Sequence, residues 1–477
     1  MENTPNAKKT LDLFHKASKE VPAYKDFLQK QGVQPDMVKT LDDFRRYVPI
    51  IDKKNYISQY PLHMLCYGGD LFSNQIIASS SGTTGEPFFW PRGPLQDSEG
   101  VDTHELIYRD IFRTDQLKTL VVVCFSMGEW VAGLFTATST LGVASRGHRL
   151  NVITPGLERA TAIRSIKALG HYYDQVILAG YPPFLKDVLD DGKEAGINWS
   201  KLNTKLLMAG EGISEEWRDY VLKEVGATNP YTDAINIYGC ADAAVLGHET
   251  PTSILIRRVY NRSPRLRQDF FGTSNLSSLV QYDPSQRYFE AVDGRLIVTA
   301  QTGIPLIRYD TQDKGGLYTF EELVKPIHER FTNKLQLISS GHNSWKEHPF
   351  IYLEGRSHSV ATIYSVNVYP ENVKAALVDK QIRRWASGRF TMATGQLANM
   401  DQSLVINIEL AKGVSEEQVD RELFLGVIVK KIRKLNAEYN YLYKSVPKKA
   451  EPRIEFIAWG DATYFSRDGK HRWVNKT

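Results

Sequence analysis

Between Thr119 and Tyr238 four short apolar runs alternate with stretches patterned as helices, and this alternation limits the fold more tightly than any other feature of the chain. Thr119–Phe125, Gln175–Ala179, Lys205–Ala209 and Ala234–Tyr238 are continuous apolar segments, rich in Val, Ile and Leu. Strands covered on both faces read this way, because neither side of the pleat meets water. Leu157–Leu169 reads as a helix stopped by Gly170, and Pro182 and Pro183 suit the first turn of a helix running to about Leu189. Ser214 is a good N-cap, Glu215 and Glu216 sit at the positive end of the next helix, and Gly226 suits its termination. Strand alternating with helix predicts an α/β domain, a mostly parallel sheet flanked by helices.

The N-terminal 75 residues read as helical segments broken by Pro22, Pro35, Pro49 and Pro61. Leu296–Ala300 and Leu306–Tyr309 read as further strands, whereas 314–350 carries no pattern and reads as an insertion. From Ile351 the texture changes. Pro370 starts a helix through Leu377, Ser403–Leu410 alternates as a half-buried strand, Ser415 caps a long helix reaching Lys434, and Arg453–Trp459 alternates again. These elements make a small α+β unit, so the expected domains are 1–353 and 354–477. A chain of 477 residues is long enough for both.

Charge is nearly balanced, at +4 overall, which gives no reason to expect a nucleic-acid or membrane-surface partner. It is unevenly spread: from Glu354 onward there are 20 Lys/Arg against 14 Asp/Glu, leaving −2 for the rest. A basic C-terminal part would suit an anionic ligand. Cys66, Cys124 and Cys240 are scattered and form no C-x-x-C pair, which suits a reducing cytoplasm. The first residues are polar, with no signal-like apolar region, and no run of about 18 apolar residues predicts a membrane span.

Ser79-Ser-Ser-Gly-Thr-Thr-Gly-Glu-Pro87 is dense in hydroxyls and glycines. Such a loop lets backbone amides and hydroxyls approach a polyphosphate, although a solvated linker has the same composition. It lacks the Lys of a G-x-x-x-x-G-K-[ST] loop, which excludes a kinase or GTPase of that class. Three further turns, Ser126–Glu129, Ala209-Gly-Glu-Gly212 and Tyr238-Gly-Cys-Ala-Asp242, each follow directly on a predicted strand. In open α/β sheets ligands bind at the carboxyl ends of strands, so the turns would converge on one crevice. Their acids could hold a cation bridging phosphates, and Tyr238 could lie against a flat ring. In Arg308-Tyr-Asp-Thr-Gln-Asp313 a carboxylate could accept hydrogen bonds from the vicinal hydroxyls of a ribose.

The Ser79–Pro87 loop, Tyr238–Asp242, Arg308–Asp313 and Gly355-Arg-Ser-His358 occur in the order and spacing of the acyl-adenylate-forming (AMP-binding) superfamily, and the chain resembles its phenylacetate–CoA ligase-like branch. Tyr288–Val292, Pro305–Tyr309 and Val366–Pro370 support the resemblance, which runs from about Leu41 to the C-terminus. By position, the resemblance implies that Ser79, Ser80, Ser81, Gly82, Thr83, Thr84 and Gly85 wrap the phosphates of ATP. Gly210 and Glu211, with Ala209, would border adenine and the acid pocket, and Tyr238 and Gly239 would line the nucleotide. Asp313 would bind the ribose and Arg356 would help hold the nucleotide. Asp242 stands where the family usually has the Glu that binds Mg2+, and His358 stands at the hinge of a mobile C-terminal domain. Lys470 stands at the place of the catalytic lysine, where a cation would balance charge as carboxylate oxygen attacks the α-phosphate. Phe125 and Trp130, with Phe135, would line an aromatic-acid pocket, although aromatics at a strand–helix junction are more often plain core.

Four departures stand out. Glu86 replaces a frequent Lys, Asp242 is one methylene shorter than Glu, His358 replaces Asp or Lys, and Tyr364-Ser365 replaces a pair that often ends in Gly on the path of the CoA arm. The reading that follows is an acid–thiol ligase using ATP, Mg2+ and CoA on a small carboxylic acid, with a homodimer left open. The alternatives are capture of the acyl-AMP by an amine and an inactive nucleotide-binding relative.

Overall fold

In a computed structural model the described residues are 5–80, 88–227, 229–262, 264–271, 278–325, 347–356, 360–397, 399–461, 463–465 and 474. The chain divides into two compact units, one of 1–79 with 89–355 and one of 80–88 with 356–477.

The first unit opens with helices Pro5–Glu20, Pro22–Lys30 and Leu41–Tyr47, the last held by a capping box between Thr40 and Asp43. Pro22 sits in the first turn of its helix, where its missing N–H costs nothing. Phe14, Tyr24, Phe27, Phe44 and Tyr56 pack ring against ring beneath these helices. A two-stranded pair follows, β1 (Ile76–Ser80) and β2 (Phe88–Arg92).

The centre of the unit is an eleven-stranded sheet. Its members are β3 (Thr119–Cys124), β4 (Leu150–Ile153), β5 (Gln175–Gly180), β6 (Lys205–Ala209), β7 (Ala234–Cys240), β8 (Ala244–His248), β9 (Ser278–Gln281), β10 (Arg287–Val292), β11 (Arg295–Ala300), β12 (Leu306–Tyr318) and β13 (Phe350–Arg356). Their order is β10-β11-β12-β13-β9-β8-β7-β6-β5-β3-β4. The half from β7 to β4 is parallel, joined by the helices Val131–Ser145, Arg159–Leu169, Pro182–Glu194 and Glu215–Glu224; β3, β5, β6 and β7 are the runs that the sequence marks as buried strands, and the short edge strand β4, only partly buried, is one that it does not mark. Every residue of β3 and β5 is buried, which is why neither alternates. In the other half β10–β11, β11–β12, β13–β9, β9–β8 and β8–β7 pair antiparallel, so the sheet as a whole is mixed. Ser214 caps Glu215–Glu224 as expected, its side chain accepting from the Trp217 N–H, and Gly226 takes φ +65° just beyond.

The second unit holds a hairpin, β14 (Ala361–Ile363) and β15 (Val366–Val368), the helix Pro370–Leu377, and a three-stranded sheet of β16 (Ala386–Gln396), β17 (Gln402–Leu410) and β18 (Arg453–Ile457). Strand β17 pairs antiparallel with β16 and parallel with β18. Ser415 does not cap the long helix. It caps the single turn Glu416–Gln418, the chain then extends through Val419, and Asp420 caps Arg421–Leu435 by accepting from the Leu423 N–H. Two capping residues five positions apart compete for one helix start, and the break at Val419 decides for the second.

Candidate active site

The parallel strands end in step. Cys124 pairs with Gly180, Gly180 with Met208 and Met208 with Asn236, so the turns after β3, β5, β6 and β7 leave the sheet along one edge. Asn236, within β7, ties that strand to the turn after β6, since its Nδ2 donates to the Glu211 carbonyl at 2.8 Å. Its own N–H donates to Glu249 Oε2 at 2.8 Å. Glu249, fully buried, also takes Arg218 at 2.6 Å and Arg257 at 3.0 Å. A buried carboxylate surrounded by donors in this way holds its neighbours to one geometry. Gly210 takes φ +97°, a conformation that favours glycine, and a Cβ on Gly239 would lie 2.5 Å from the Ala244 carbonyl oxygen.

Two side-chain pairs cross this edge. Tyr238 Oη donates to Asp313 Oδ2 at 2.8 Å, and Tyr309 Oη donates to Asp242 Oδ2. As one number rises the other falls, so the β7–β8 hairpin and β12 run antiparallel past each other. Arg308 and Gln312 take left-handed φ values of +49° and +66°, which bend β12 and bring Asp313 round to Tyr238. The cost is met by the Arg308 guanidinium, which forks onto Glu290 with two bonds of 2.9 Å and donates to the Arg45 and Val48 carbonyls. Arg308 is therefore a clamp for the bend. Asp310 pairs with Arg295, and its carboxyl is raised above the ordinary range chiefly by burial.

Burial, reinforced by the facing carboxylate, pushes the Tyr238 and Tyr309 phenols well above 10, so both remain donors. Cys240 is pushed up to about 12 by burial and is a thiol at neutral pH, with none of a nucleophile's character. Cys240 and His248 occur at opposite ends of one hairpin, paired with Ala244 and Ile237, so they do not share a metal.

Asp242 has a third neighbour, which sequence reasoning missed. Lys53 Nζ is 3.1 Å from Asp242 Oδ1 and 5.3 Å from the Trp90 ring, which in turn meets Tyr309 edge-on at 6.5 Å. Lys53 arrives because Ile51 bridges Tyr309, with the Ile51 N–H on the Arg308 carbonyl at 3.1 Å. Nothing local in Ile50-Ile-Asp-Lys-Lys54 announces that pairing. Among the described residues no three His, Cys, Asp or Glu side chains gather as a metal cage. One carboxylate fits Mg2+, which is usually held by one or two carboxylates and completes its shell with phosphate oxygens and water; Asp242 is the residue here that would supply it.

Ser79 donates its N–H to the Glu129 carbonyl at 2.8 Å and bridges Trp130, which attaches β1 to the turn after β3, and its buried Oγ has no partner. Ser80 is buried beside it. Phe125 is buried in the main core and meets Tyr181 edge-on at 5.0 Å, and the half-buried Ala209 packs against the same core. Trp130 is buried as the N-cap of Val131–Ser145. Ser81, Gly82, Thr83, Thr84, Gly85, His358 and Lys470 lie outside the described residues, as does the side chain of Arg356.

With that geometry in hand the chain can be set beside known proteins. No protein-family profile matches it. It is 22% identical over 360 residues to the phenylacetate–coenzyme A ligase of Aromatoleum evansii, covering 75% of this chain and 71% of that one, and the same figures hold for the phenylacetate–coenzyme A ligase of Thermus thermophilus. Among solved structures it matches a 2-hydroxyisobutyryl-CoA ligase in complex with its acyl-AMP and CoA, with a TM-score of 0.65, 16% identity, and coverage of 100% of this chain and 90% of that one. The chain shares the fold of that ligase. Its sequence is similar to the two phenylacetate–coenzyme A ligases.

Proposed function

We propose that the chain is an AMP-forming carboxylate–CoA ligase. A carboxylate oxygen attacks the α-phosphorus of ATP and pyrophosphate leaves, giving acyl-AMP. The CoA sulfur then attacks the acyl carbon, AMP leaves, and the thiol proton passes to solvent. The observation that carries this reading is the Tyr238–Asp313 bond of 2.8 Å at the carboxyl edge of the parallel strands, between residues 75 apart in sequence. It fixes a buried carboxylate where vicinal ribose hydroxyls can donate to it, with the Tyr238 ring beside the base. Asp242 would hold Mg2+, which supplies charge neutralisation to the phosphates. Lys53 adds a second positive charge at the same carboxylate. That suits a site whose phosphate loop carries Glu86 in place of the usual Lys. Domain 354–477 would act as the moving lid, turning at His358 and bringing Lys470 to the α-phosphate for the first half-reaction. Arg356 would reach the nucleotide from the same hinge. The 2-hydroxyisobutyryl-CoA ligase of similar fold binds its acyl-AMP and CoA, which supports both half-reactions.

The test is pyrophosphate release across a panel of carboxylic acids, followed by AMP release on adding CoA. Acid-dependent pyrophosphate and CoA-dependent AMP are expected. ATP binding with no pyrophosphate from any acid would remove the enzyme reading. Pyrophosphate without CoA-dependent AMP release would remove the thioester step alone.

A further inference from the structure

Arg92, the last residue of β2, is 3% exposed, and most of its hydrogen-bonding capacity is unspent. Its Nε pairs with Asp97, one turn into the helix Pro94–Leu106. Both amino nitrogens, Nη1 and Nη2, are buried and make no hydrogen bond. A buried guanidinium with two idle NH2 groups is costly, because five donors leave water and only part of that loss is restored.

Its surroundings are of the same kind. The guanidinium lies 4.9 Å from the centroid of Phe135, and His104 flanks the same ring at 5.9 Å. His104 Nδ1 bonds the Gly100 carbonyl at 2.8 Å, and burial lowers the ring to about 4. The neutral ring therefore holds its hydrogen on Nδ1 and presents Nε2 as an acceptor, and Nε2 has no partner. Ser139 Oγ, on the same helix as Phe135, is buried without a partner too. A Cβ on Gly100 would collide with Phe135 and lie 2.9 Å from that hydroxyl. Glycine is therefore what lets the ring and Ser139 sit so close to Pro94–Leu106. Buried polar atoms of native proteins nearly always find partners, and a group of them around one aromatic ring marks a place where something else supplies the bonds.

The position is telling. Phe135 lies in the second turn of Val131–Ser145, which leaves β3 at the carboxyl edge of the sheet and whose cap, Trp130, bridges Ser79. Asp97 holds the guanidinium by Nε, so the two outer NH2 groups are presented as a preformed fork. That fork suits two oxygens of a carboxylate or the lone pairs of a carbonyl. Resting on the adenylation reading above, we propose that Arg92 determines substrate specificity: it grips an oxygen-bearing group, a carboxylate or carbonyl, at the end of the acid remote from the carboxylate that is activated. Phe135 lies against the carbon skeleton between them.

The experiment compares acids matched in size and differing at the far end: phenylacetates carrying 4-methyl, 4-acetyl or 4-carboxyl groups, and hexanoate against adipate. The readouts are kcat/KM for pyrophosphate release and, needing no turnover, thermal-shift binding of each acid. The wild-type protein should favour the oxygen-ended acids by about 10–100-fold, the range of a charge-assisted bond gained or lost. In Arg92→Met the ratio should fall toward one, and Arg92→Lys, which keeps charge without the fork, should fall between. The acetyl and carboxyl arms tell carbonyl from carboxylate. A methyl-ended acid that serves as well as its oxygen-ended partners would overturn the assignment, and so would a preference that survives Arg92→Met. Should the variants not fold, the wild-type ranking decides alone. Binding in the expected order with no pyrophosphate would sink the adenylation reading and leave Arg92 standing.

Discussion

Ser365 sits in the two-residue turn between β14 and β15, and both turn residues take left-handed φ, +49° at Tyr364 and +63° at Ser365. Positive φ at both centres is what a tight hairpin of this twist demands, and glycine is the residue that meets it without strain. A side chain there costs about 1–2 kcal/mol. The Ser365 hydroxyl oxygen is also buried without a partner, which costs about 1–3 kcal/mol. Against these, glycine loses about 0.5–1 kcal/mol of unfolded-state freedom. Ser365→Gly should therefore stabilise the second unit by about 1–4 kcal/mol. Ser365→Ala separates the contributions, since it removes the hydroxyl and keeps the strained backbone. Calorimetric unfolding should rank glycine above alanine and alanine above wild type. At about 3–5 °C per kcal/mol for a unit of this size, the shifts are readily resolved. Hydrogen exchange across 361–368 should slow in the same order. If glycine is no more stable than alanine, the left-handed backbone is not what limits this hairpin. If glycine is less stable than serine, the reasoning fails altogether.

Asp313→Ala should raise the ATP concentration needed for half-maximal pyrophosphate release by about 10–100-fold, with Tyr238→Phe milder; an unchanged ATP requirement would refute the ribose assignment. Lys470→Ala should slow acyl-AMP formation by about 10²–10³ while ATP still binds, and near-normal adenylation in that variant alongside a defect in Lys476→Ala would move the role to Lys476. His104 and His248, both lowered to about 4 chiefly by burial, stay neutral in the folded chain where unfolded imidazoles near 6.5 already bind protons. Stability should therefore fall as pH drops from 6.5 toward 4, by up to about 1.4 kcal/mol per pH unit for each ring. His248→Gln should remove one ring's share of that slope, and a slope left unchanged would show that His248 is not its source.

What the sequence could announce follows from what each element must satisfy alone. The parallel strands are legible because burial on both faces demands apolar residues at most positions, and β6 and the helix Pro370–Leu377 occur at the expected bounds. Strand β12 is legible only to Tyr309, yet it continues to Tyr318. Its later part, with Gly315 and Gly316, falls in the stretch read as an insertion, which the strand overturns as far as Tyr318. The two glycines are there because a Cβ at either position would collide with Tyr352 on β13. A partner 37 residues away in sequence dictates the glycines, and no local pattern contains that partner.

The site divides along the same line. Tyr238 near the end of β7, Asp242 in the turn after it and Asp313 past the bend of β12 belong to stretches whose composition is informative, so motif spacing could propose them. Lys53, Asn236 and Arg92 could not be named, because each matters through a residue brought to it by the fold. Lys53 reaches Asp242 only through the bridge between Ile51 and Tyr309. Asn236 looks like any buried strand residue until its amide is found on the Glu211 carbonyl. Arg92 reads as an ordinary charge at a helix start until the aromatic ring beside it and the silence of its two amino groups are both seen. Motifs record the chemistry shared by all adenylating sites, in which the nucleotide is constant. The acid varies from one such enzyme to another, so the residues that select it carry no common spacing, and they must be recognised by polar groups that the folded chain leaves unsatisfied.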